Sequence, residues 1–369
     1  MSKDTATEKI VRDYLITKAL DIKAANEANV DKRVAAATAR DLLVVNTLTK
    51  SLAKVFTKNW CTPPKYTGKR LHATHKRIVN ILLSDLHFGS HLDPVECPME
   101  YGTVQESRRL GRVAQQVADY KRQYRKETKL IVHLLGDIIQ NQLHDPRDGD
   151  PLTEQFAAAV HYLTQFVLFV ASQYPSVEVN CNPGNHGRNM ARHPDRGVQQ
   201  KWDAIETMIY LAVKMAVMNS GVTNVKFNIP KTPYYIVQLF DSKGFFTHGD
   251  TVFKPGFPGN SINVKALAHQ VTKWNTSRNI GGPFAIFGMG HVHTGAIITL
   301  PGNVTVITNS CLVPPDAFSL SIGSPDNTCA QWLWESVVGH AIGDQRLIVV
   351  DGAENDSKYN DFIRPYGGF

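Results

Sequence analysis

The sequence predicts an α/β fold with mixed strand pairing, preceded by a helical N-terminal extension. From residue 78 onward, short runs rich in β-branched and aromatic residues alternate with helical patterns, as in α/β domains. Two late runs, 296–300 and 304–308, are spaced like a hairpin, which indicates some antiparallel pairing. The chain has 369 residues, 43% hydrophobic and 20% charged, which is typical of one large globular domain plus an appendage, or of two domains.

The first residues, 1–60, predict a basic helical arm. Thr5 and Glu8 have the spacing of a capping box, and a second helical pattern begins after Asp31. Residues 1–78 contain 16 Lys and Arg against 7 Asp and Glu, a net charge of +9, whereas the remaining residues contain 24 against 26. Such an arm suits a polyanion such as nucleic acid. The alternative is a solvated helix pair that packs on the domain or on a second subunit.

The rest of the chain divides into a linker, a large domain and a tail. Two prolines and a glycine predict the linker over 61–77, the domain follows over 78–352, and 353–369 form a polar tail that we expect to be loosely ordered. Helical patterns cover roughly 105–126, 153–173, 198–218 and 262–278. The strand-like runs are RIVNILLS, KLIVHLL, VEVNC, VKFNI, YYIVQLF, GFFTH, FAIFGM, GAIITL, VTVITN and RLIVV.

Composition also sets an expectation for the compartment. No apolar run approaches the roughly 20 residues of a membrane span, and the first residues do not resemble a secretory signal. The five cysteines include no Cys-x-x-Cys pair, so we expect buried thiols in a reducing environment. These features predict a cytoplasmic protein without a membrane partner, and they leave the oligomeric state open.

Side chains that can bind metal follow the strand-like runs at five places. A strand alternates its faces at every residue, so the Asp-x-His and His-x-His pairs place both members on one side. Glycine near each cluster allows a sharp turn. The five stretches are SDLH with Asp85 and His87, GD with Asp137, GNH with Asn185 and His186, THGD with His248, and GHVH with His291 and His293.

The chemistry of these side chains favours transition metals. The set is too rich in nitrogen for calcium or magnesium, and it lacks the thiolates of structural zinc. Imidazole and carboxylate ligands suit Mn, Fe, Zn, Co or Ni, and we expect manganese first among them. Seven ligands exceed the needs of one ion, but they would serve two divalent ions, roughly 3.5–4 Å apart, if one carboxylate bridges them.

The order of these motifs resembles the calcineurin-like metallophosphoesterase superfamily, over residues 78 to about 310. The resemblance implies two facing mixed β-sheets flanked by helices, a four-layer sandwich with metals at the strand ends. It implies that Asp137 bridges the two metals and that His186 lies beside the substrate phosphate as the catalytic group. The remaining implied ligands are Asp85, His87 and His293 for the first metal, and Asn185, His248 and His291 for the second.

The sequence departs from the family pattern at two places. The third motif usually continues with an acidic residue that orients the histidine, but here Gly187 and Arg188 follow. That role is either vacant or filled elsewhere, with Asp250 as the candidate. Arg188 is either a bidentate phosphate ligand or a surface arginine. Gln140 stands where repair nucleases of the superfamily have a histidine, and His144 on the same loop is a candidate substitute that would bind substrate.

These features predict a metal-dependent phosphoric ester hydrolase. We expect a nuclease-like phosphodiesterase that acts on nucleic acid through attack by a hydroxide bridging the metals. One alternative is a phosphomonoesterase or a cyclic-nucleotide phosphodiesterase. An alternative of another class is a non-catalytic nucleic-acid-binding subunit with a metallophosphoesterase fold, against which the complete ligand set argues.

Overall fold

The structure is a computed structural model that describes Lys32 and residues 75–368, except 98, 121, 143–148, 190–199, 254–261, 322, 324 and 325. The predicted N-terminal arm apart from Lys32, almost all of the linker, and His144 lie outside the described residues.

The described residues form two mixed sheets. The first has the order β11-β10-β1-β2-β3-β4 and the second the order β5-β6-β7-β9-β8. Strands β1 to β4 run parallel, whereas β10 and β11 add antiparallel pairs. In the second sheet, β6, β7 and β9 are parallel, and β5 and β8 pair antiparallel at its edges. The strands are β1 (Arg77–Leu83), β2 (Thr128–Leu134), β3 (Ser176–Cys181), β4 (Val225–Asn228), β5 (Tyr235–Leu239), β6 (Ser242–Phe246), β7 (Ile286–Met289), β8 (Ala296–Leu300), β9 (Val304–Thr308), β10 (Ala330–Ser336) and β11 (Gln345–Val349).

Helices flank the two sheets. The α-helices of the described residues are α1 (Thr103–Asp119), α2 (Leu152–Gln173), α3 (Ile205–Asn219), α4 (Val264–Thr276) and α5 (Ala317–Ser321). Helices α1, α2 and α3 follow β1, β2 and β3 as crossovers between parallel strands. By length and composition α2 is the one described helix apolar enough to cross a membrane, but 78% of its apolar window is buried inside the fold, as in a core helix.

The two sheets face each other across an apolar core. Successive residues of a strand point to opposite faces of the sheet, so neighbouring residues pack in different layers of the fold. On β6, Phe246 packs between the sheets, whereas Phe245 packs outward with Leu267 and Val271 of α4. The inter-sheet core consists of Ile78, Leu82, Ile131, Leu135, Tyr235, Val237, Leu239, Phe246, Ile286, Ile307 and Trp334. The two facing mixed sheets flanked by helices are therefore confirmed.

Three segments differ from the sequence-based expectations. The sequence patterns do not predict strand β10, yet it pairs with β1 at the centre of the first sheet. Helix α3 begins at Ile205, later than the predicted 198. The expectation of a loosely ordered tail is wrong for 353–368, because Tyr359 and Ile363 are buried and Arg109 of α1 pairs with Glu354.

Candidate metal centre

The predicted ligands meet where the two sheets adjoin. The loops after β1, β2 and β3 leave the first sheet at the same edge, because these strands are parallel. The loops after β6 and β7 leave the second sheet in the same way. Backbone hydrogen bonds join the loops: the N–H of His87 donates to the carbonyl of Asp137 (3.0 Å), and that of Gly290 to the carbonyl of His248 (2.9 Å).

A side chain of the first sheet also ties the two sheets together. The carboxylate of Asp85 accepts from the backbone N–H of His291, at 3.0 Å to Oδ1 and 3.1 Å to Oδ2. Asp85 is fully buried. Motifs that lie far apart in the sequence are therefore held against each other by their own backbone and by a ligand carboxylate.

Three overlapping groups of donors form the centre. In each group the donor atoms lie within 4.8 Å of one another. The groups are Asp85, His87 and His293; His87, Asp137 and His186; and Asp137, His248 and His291. Asp137 and His87 each belong to two groups, so the Asp137 carboxylate lies between His87 on one side and His248 and His291 on the other.

The separations between donor atoms fit metal coordination. Two ligands of one ion, each about 2.0–2.2 Å from it, lie roughly 2.8–3.6 Å apart for angles between octahedral and tetrahedral. His293 Nε2 lies 3.3 Å from His87 Nε2 and 3.4 Å from Asp85 Oδ1. His248 Nε2 lies 3.1 Å from Asp137 Oδ2 and 3.0 Å from Asn185 Oδ1. These six side chains are therefore spaced so that they could hold divalent metal.

Hydrogen bonds at the far side of two imidazole rings set their tautomers. His248 Nδ1 donates to the carbonyl of Leu135 at 2.6 Å, and His87 Nδ1 donates to Oε1 of Gln140 at 2.7 Å. Both partners are oxygens that only accept, so each Nδ1 carries a hydrogen and each Nε2 faces the centre. Such bonds orient histidine ligands and raise their basicity.

The charges of the side chains in the centre are balanced within it. Burial raises the pKa of Asp137, but the charges of His248 and His186 outweigh it and hold that pKa well below its usual value. Burial lowers the pKa of His248, but the charge and hydrogen bond of Asp137 raise it to about 9. Burial and the charges of His186 and His293 lower the pKa of His87 to about 3. One protonated histidine thus neutralises Asp137, while His87 is ready to bind a cation.

The same balance of charge holds between Asp85 and His293. Burial raises the pKa of Asp85, but the hydrogen bond and charge of His293 keep it below its usual value. Burial lowers the pKa of His293, but the hydrogen bond and charge of Asp85 raise it above its usual value. Burial and the charge of His248 lower the pKa of His291 to about 4. Each carboxylate of the centre is therefore paired with one histidine whose pKa it raises.

The backbone of the ligand loops is strained. Among the described residues, nine other than glycine have a positive φ, and five of them are predicted ligands. Such a conformation costs on the order of 1–3 kcal/mol per residue, and it is concentrated at functional sites. The five are Asp85 (φ 54°), His87 (49°), Asp137 (50°), His291 (72°) and His293 (52°).

Glycines beside the ligands are required by close contact. A Cβ at Gly184 would overlap Oδ1 and N of Asp137, and a Cβ at Gly290 would lie 2.5 Å from Oδ2 of Asp85. Gly136 has a φ of 82°, and a Cβ there would overlap the backbone of Gly184. The glycine of each of these motifs therefore makes room for a carboxylate or for the neighbouring loop.

His186 lies beside the donors and is oriented by a backbone group. Its Nδ1 donates to the carbonyl of Gln140 at 2.6 Å, and its N–H donates to Oδ1 of Asp137 at 2.8 Å. Its ring centroid is 4.5 Å from that of His87. Gln140 thus holds both histidines, one through its side chain and one through its carbonyl. The orienting partner is Gln140, and the expectation that Asp250 fills this role is wrong.

Asp250 instead holds two basic side chains. Arg188 Nη2 donates to Asp250 Oδ2 at 2.8 Å, and the Lys201 ammonium binds Asp250 Oδ1. Burial raises the pKa of Asp250, but the charges of Lys201 and His248 lower it to about 2. Lys201 is 1% exposed and Arg188 is 22% exposed, so Arg188 alone of this pair faces solvent appreciably. Arg188 is therefore an anchored arginine, placed two residues after His186.

Three buried polar side chains support the loops, and the sequence patterns do not single them out. Each comes from the first turn of a helix and accepts a hydrogen bond from a loop N–H. Glu106 binds Gly89 (2.6 Å), Gln155 binds Asn141 (2.6 Å), and Glu206 binds Ile138 (2.5 Å) and Gly184 (2.7 Å). The signal for Glu206 is a polar residue at helical spacing with the buried Ile209, Tyr210, Val213 and Val217.

Comparison with known proteins gives matches in structure alone. No family model and no curated protein matches the sequence. The chain is similar to an archaeal phosphodiesterase (12% identity, 73% of this chain and 99% of that chain, TM-score 0.35). It is also similar to a hypothetical protein from Pyrococcus horikoshii (9%, 78% and 95%, TM-score 0.39) and to a metallophosphoesterase from Sphaerobacter thermophilus (10%, 70% and 84%, TM-score 0.28).

Proposed function

We propose that this protein is a binuclear-metal phosphoesterase that hydrolyses phosphodiesters. The observation that carries the proposal is the position of the Asp137 carboxylate between His87 on one side and His248 and His291 on the other, with His248 Nε2 3.1 Å from Asp137 Oδ2. When bound, two divalent metals would polarise phosphate oxygens and lower the pKa of the attacking water. Asp85, His87, Asp137 and His293 would hold one ion, and Asp137, Asn185, His248 and His291 the other. Manganese is the first candidate, with iron, zinc, nickel and cobalt as alternatives.

The side chains around the donors have separate roles in this proposal. The Nδ1 of His186 is bound to the Gln140 carbonyl, so Nε2 is the ring nitrogen that acts on the ester. It donates a proton to the leaving oxygen or stabilises charge on the phosphate. Arg188 binds a phosphate oxygen through its guanidinium, which Asp250 holds in place. Asp85 fixes the backbone of His291 and so keeps the two ligand loops in register.

The proposed substrate class is nucleic acid in the cytoplasm. The support is the net charge of +9 in residues 1–78, which would bind a chain of phosphates in a salt-dependent manner. A phosphomonoester or a cyclic nucleotide would use the same metal centre without the basic arm. A non-catalytic subunit would bind nucleic acid and metal and would hydrolyse none of these esters.

A panel of substrates with added Mn²⁺ tests the proposal. It contains an aryl phosphomonoester, an aryl phosphodiester, cyclic nucleotides, and single- and double-stranded DNA and RNA. Asp137→Ala is the control, because it removes the shared ligand and should abolish both metal binding and turnover. We expect turnover of the diester and of a nucleic acid. Selective turnover of the monoester or of cyclic nucleotides would replace the proposed substrate, and two bound metals without any turnover would favour the binding subunit.

A further inference from the structure

The carboxylate of Glu206 lies beneath the metal centre, at the start of α3. Glu206 is fully buried. Its Oε1 accepts from the N–H of Ile138 at 2.5 Å, and its Oε2 accepts from the N–H of Gly184 at 2.7 Å. No metal would touch this carboxylate directly, since both of its oxygens face backbone donors.

The two N–H groups belong to different ligand loops. Ile138 follows Asp137 on the loop after β2, and Gly184 precedes Asn185 on the loop after β3. The Glu206 side chain therefore links the two loops, next to Asp137 on one and next to Asn185 on the other. Both carboxyl oxygens act as acceptors here, and burial together with the charge of Asp137 raises the pKa of Glu206 to about 8. A carboxamide of the same shape would place an N–H₂ group against one of the two N–H donors.

The sequence leaves a space for this carboxylate at Gly187. A Cβ built on Gly187 would lie 2.5 Å from Cδ and 2.6 Å from Oε2 of Glu206. Gly187 does not have a positive φ, unlike Gly136, so the turn itself does not require glycine there. Gly187 has no side chain, and the Glu206 carboxylate of α3 occupies the space that a side chain would fill. The N–H of Ile205 also donates to the carbonyl of Gly187 at 2.8 Å, which fixes the start of α3 against this loop.

We propose that Glu206 is a positioning residue that fixes Asp137 relative to Asn185 and thereby sets the affinity of the metal that these two ligands share. The inference rests on the proposed two-metal centre, but it does not depend on which ester is hydrolysed. The carboxylate acts through the two backbone N–H groups, so its loss should affect the ion held by Asp137 and Asn185 more than the ion held by His87 and His293.

The first test is Mn²⁺ binding to metal-free protein, measured by equilibrium dialysis. The wild type should bind two ions. In Glu206→Gln one of the two ions should lose about 10–100-fold in affinity, the usual effect of removing a group that orients metal ligands, and the other ion should lose much less. Glu335→Gln is the matched control, because Glu335 is buried on β10 and pairs with Arg77. Two-site affinities equal to those of the wild type in Glu206→Gln would overturn the proposal.

A transplanted carboxylate separates positioning from general destabilisation. Gly187→Asp alone should weaken Mn²⁺ binding, because the new side chain meets the Glu206 carboxylate. Gly187→Asp combined with Glu206→Ala should bind Mn²⁺ more tightly than Glu206→Ala alone, because the new carboxylate enters the vacated space. Thermal unfolding of each metal-free variant shows whether affinity merely follows stability. If the double variant binds no better than Glu206→Ala, or if affinity follows stability throughout, the positioning role is wrong.

The two proposals fail in different ways. A wild type that binds fewer than two Mn²⁺ ions contradicts the binuclear centre and the role of Glu206 together. A wild type that binds two ions and hydrolyses no ester contradicts the proposed function. The Mn²⁺ affinities of the Glu206 variants would then still test the positioning role. Normal hydrolysis with an unchanged isotherm in Glu206→Gln contradicts only the positioning role.

Discussion

At the scale of single residues, the metal centre consists of side chains whose backbone is held in a costly conformation. Asp85, His87 and Asp137 all have φ values near 50°, which glycine or asparagine adopts more easily. Neighbouring loops hold these conformations through hydrogen bonds such as that from His87 N–H to the Asp137 carbonyl. The strain is consistent with selection for the direction of the side chains rather than for stability.

The neighbours Asn185 and His186 should differ when each is replaced by alanine. His186→Ala should retain both metals and lose roughly 10²–10⁴-fold in turnover, the usual contribution of a positioned acid or base. Asn185→Ala should lose metal as well as turnover, because it removes a ligand oxygen 3.0 Å from His248 Nε2. Metal content by mass spectrometry and initial rates distinguish the two variants. His186 also lies in ligand range of His87 and Asp137, so metal loss in His186→Ala equal to that in Asn185→Ala would make it a ligand.

The leaving group separates the two roles of His186. A phenolic ester of low pKa hardly needs a proton, whereas an alkyl ester does. The loss in His186→Ala should therefore be smaller for the phenolic ester. Equal losses for both esters would mean that His186 stabilises charge on the phosphate.

Metal binding should release protons. In the metal-free centre the pKa of His248 is raised to about 9, so at pH 7 this ring carries a proton that a metal must displace. Mn²⁺ affinity should therefore rise with pH between 6 and 8. Calorimetric titrations at pH 7 in buffers of different ionisation enthalpy measure the number of protons released, and His248→Ala should release fewer. A pH-independent affinity with no proton released would show that His248 is neutral before metal binds.

The sequence predicts the ligands of this site better than their supports. Asp, Asn and His on Gly-rich turns after strands have a recognisable chemistry, and all seven predicted ligands come together in the structure. Gln140 contacts one histidine through its side chain and another through its carbonyl, and Glu206 contacts two backbone N–H groups, so their roles depend on the packing of separate loops. Arg188 is predicted as a phosphate ligand or a surface residue, but its pairing with Asp250, which also binds Lys201, depends on the folded chain.

At the scale of elements, the spacing between the loops after β2 and β3 is set by glycine. Gly184→Ala should lower the free energy of unfolding by about 1–3 kcal/mol, as overpacking does, and should reduce metal content. The reason is that its Cβ would overlap the Asp137 carboxylate. Gly367→Ala is the matched control, since nothing lies within 4 Å of its Cβ position. Thermal unfolding and metal analysis of the two variants make the measurement, and equal results for both would show that the loops can separate at no cost.

Most strands follow from the sequence because their β-branched runs are bounded by turn residues. Strand β10 escapes this pattern, since Gln331 and Glu335 are polar and yet buried within it. Gln331 accepts from Ser84 N–H, and Glu335 pairs with Arg77, so the partners that allow their burial come from the region of β1. The order of the C-terminal segment escapes prediction for a similar reason, because Tyr359 and Ile363 are buried within a mostly polar stretch.

At the scale of the whole molecule, the basic arm should contribute binding and not chemistry. Deleting residues 1–76 should leave hydrolysis of a small phosphodiester unchanged and should weaken nucleic-acid binding. The dependence of affinity on salt should also become shallower, by about 0.9 in log–log slope for each duplex phosphate that the arm no longer neutralises. Binding titrations at several salt concentrations measure this. Lys54→Gln with Lys58→Gln keeps the arm and should give a smaller change in slope. Unchanged affinity after deletion would remove the arm from the substrate proposal.

The pairing of β1 with β10 has a consequence for the order in which the protein is made. Ile78 pairs with Ser336, and the ligands extend from Asp85 to His293. At about 5–20 residues per second, the ribosome needs roughly ten seconds to a minute to pass from Ile78 to Ser336. During that interval β1 has one edge without its final partner, and an unpaired edge invites association with other chains. We therefore expect nascent chains to depend on chaperones until β10 emerges, and both metals to be acquired after translation rather than during it.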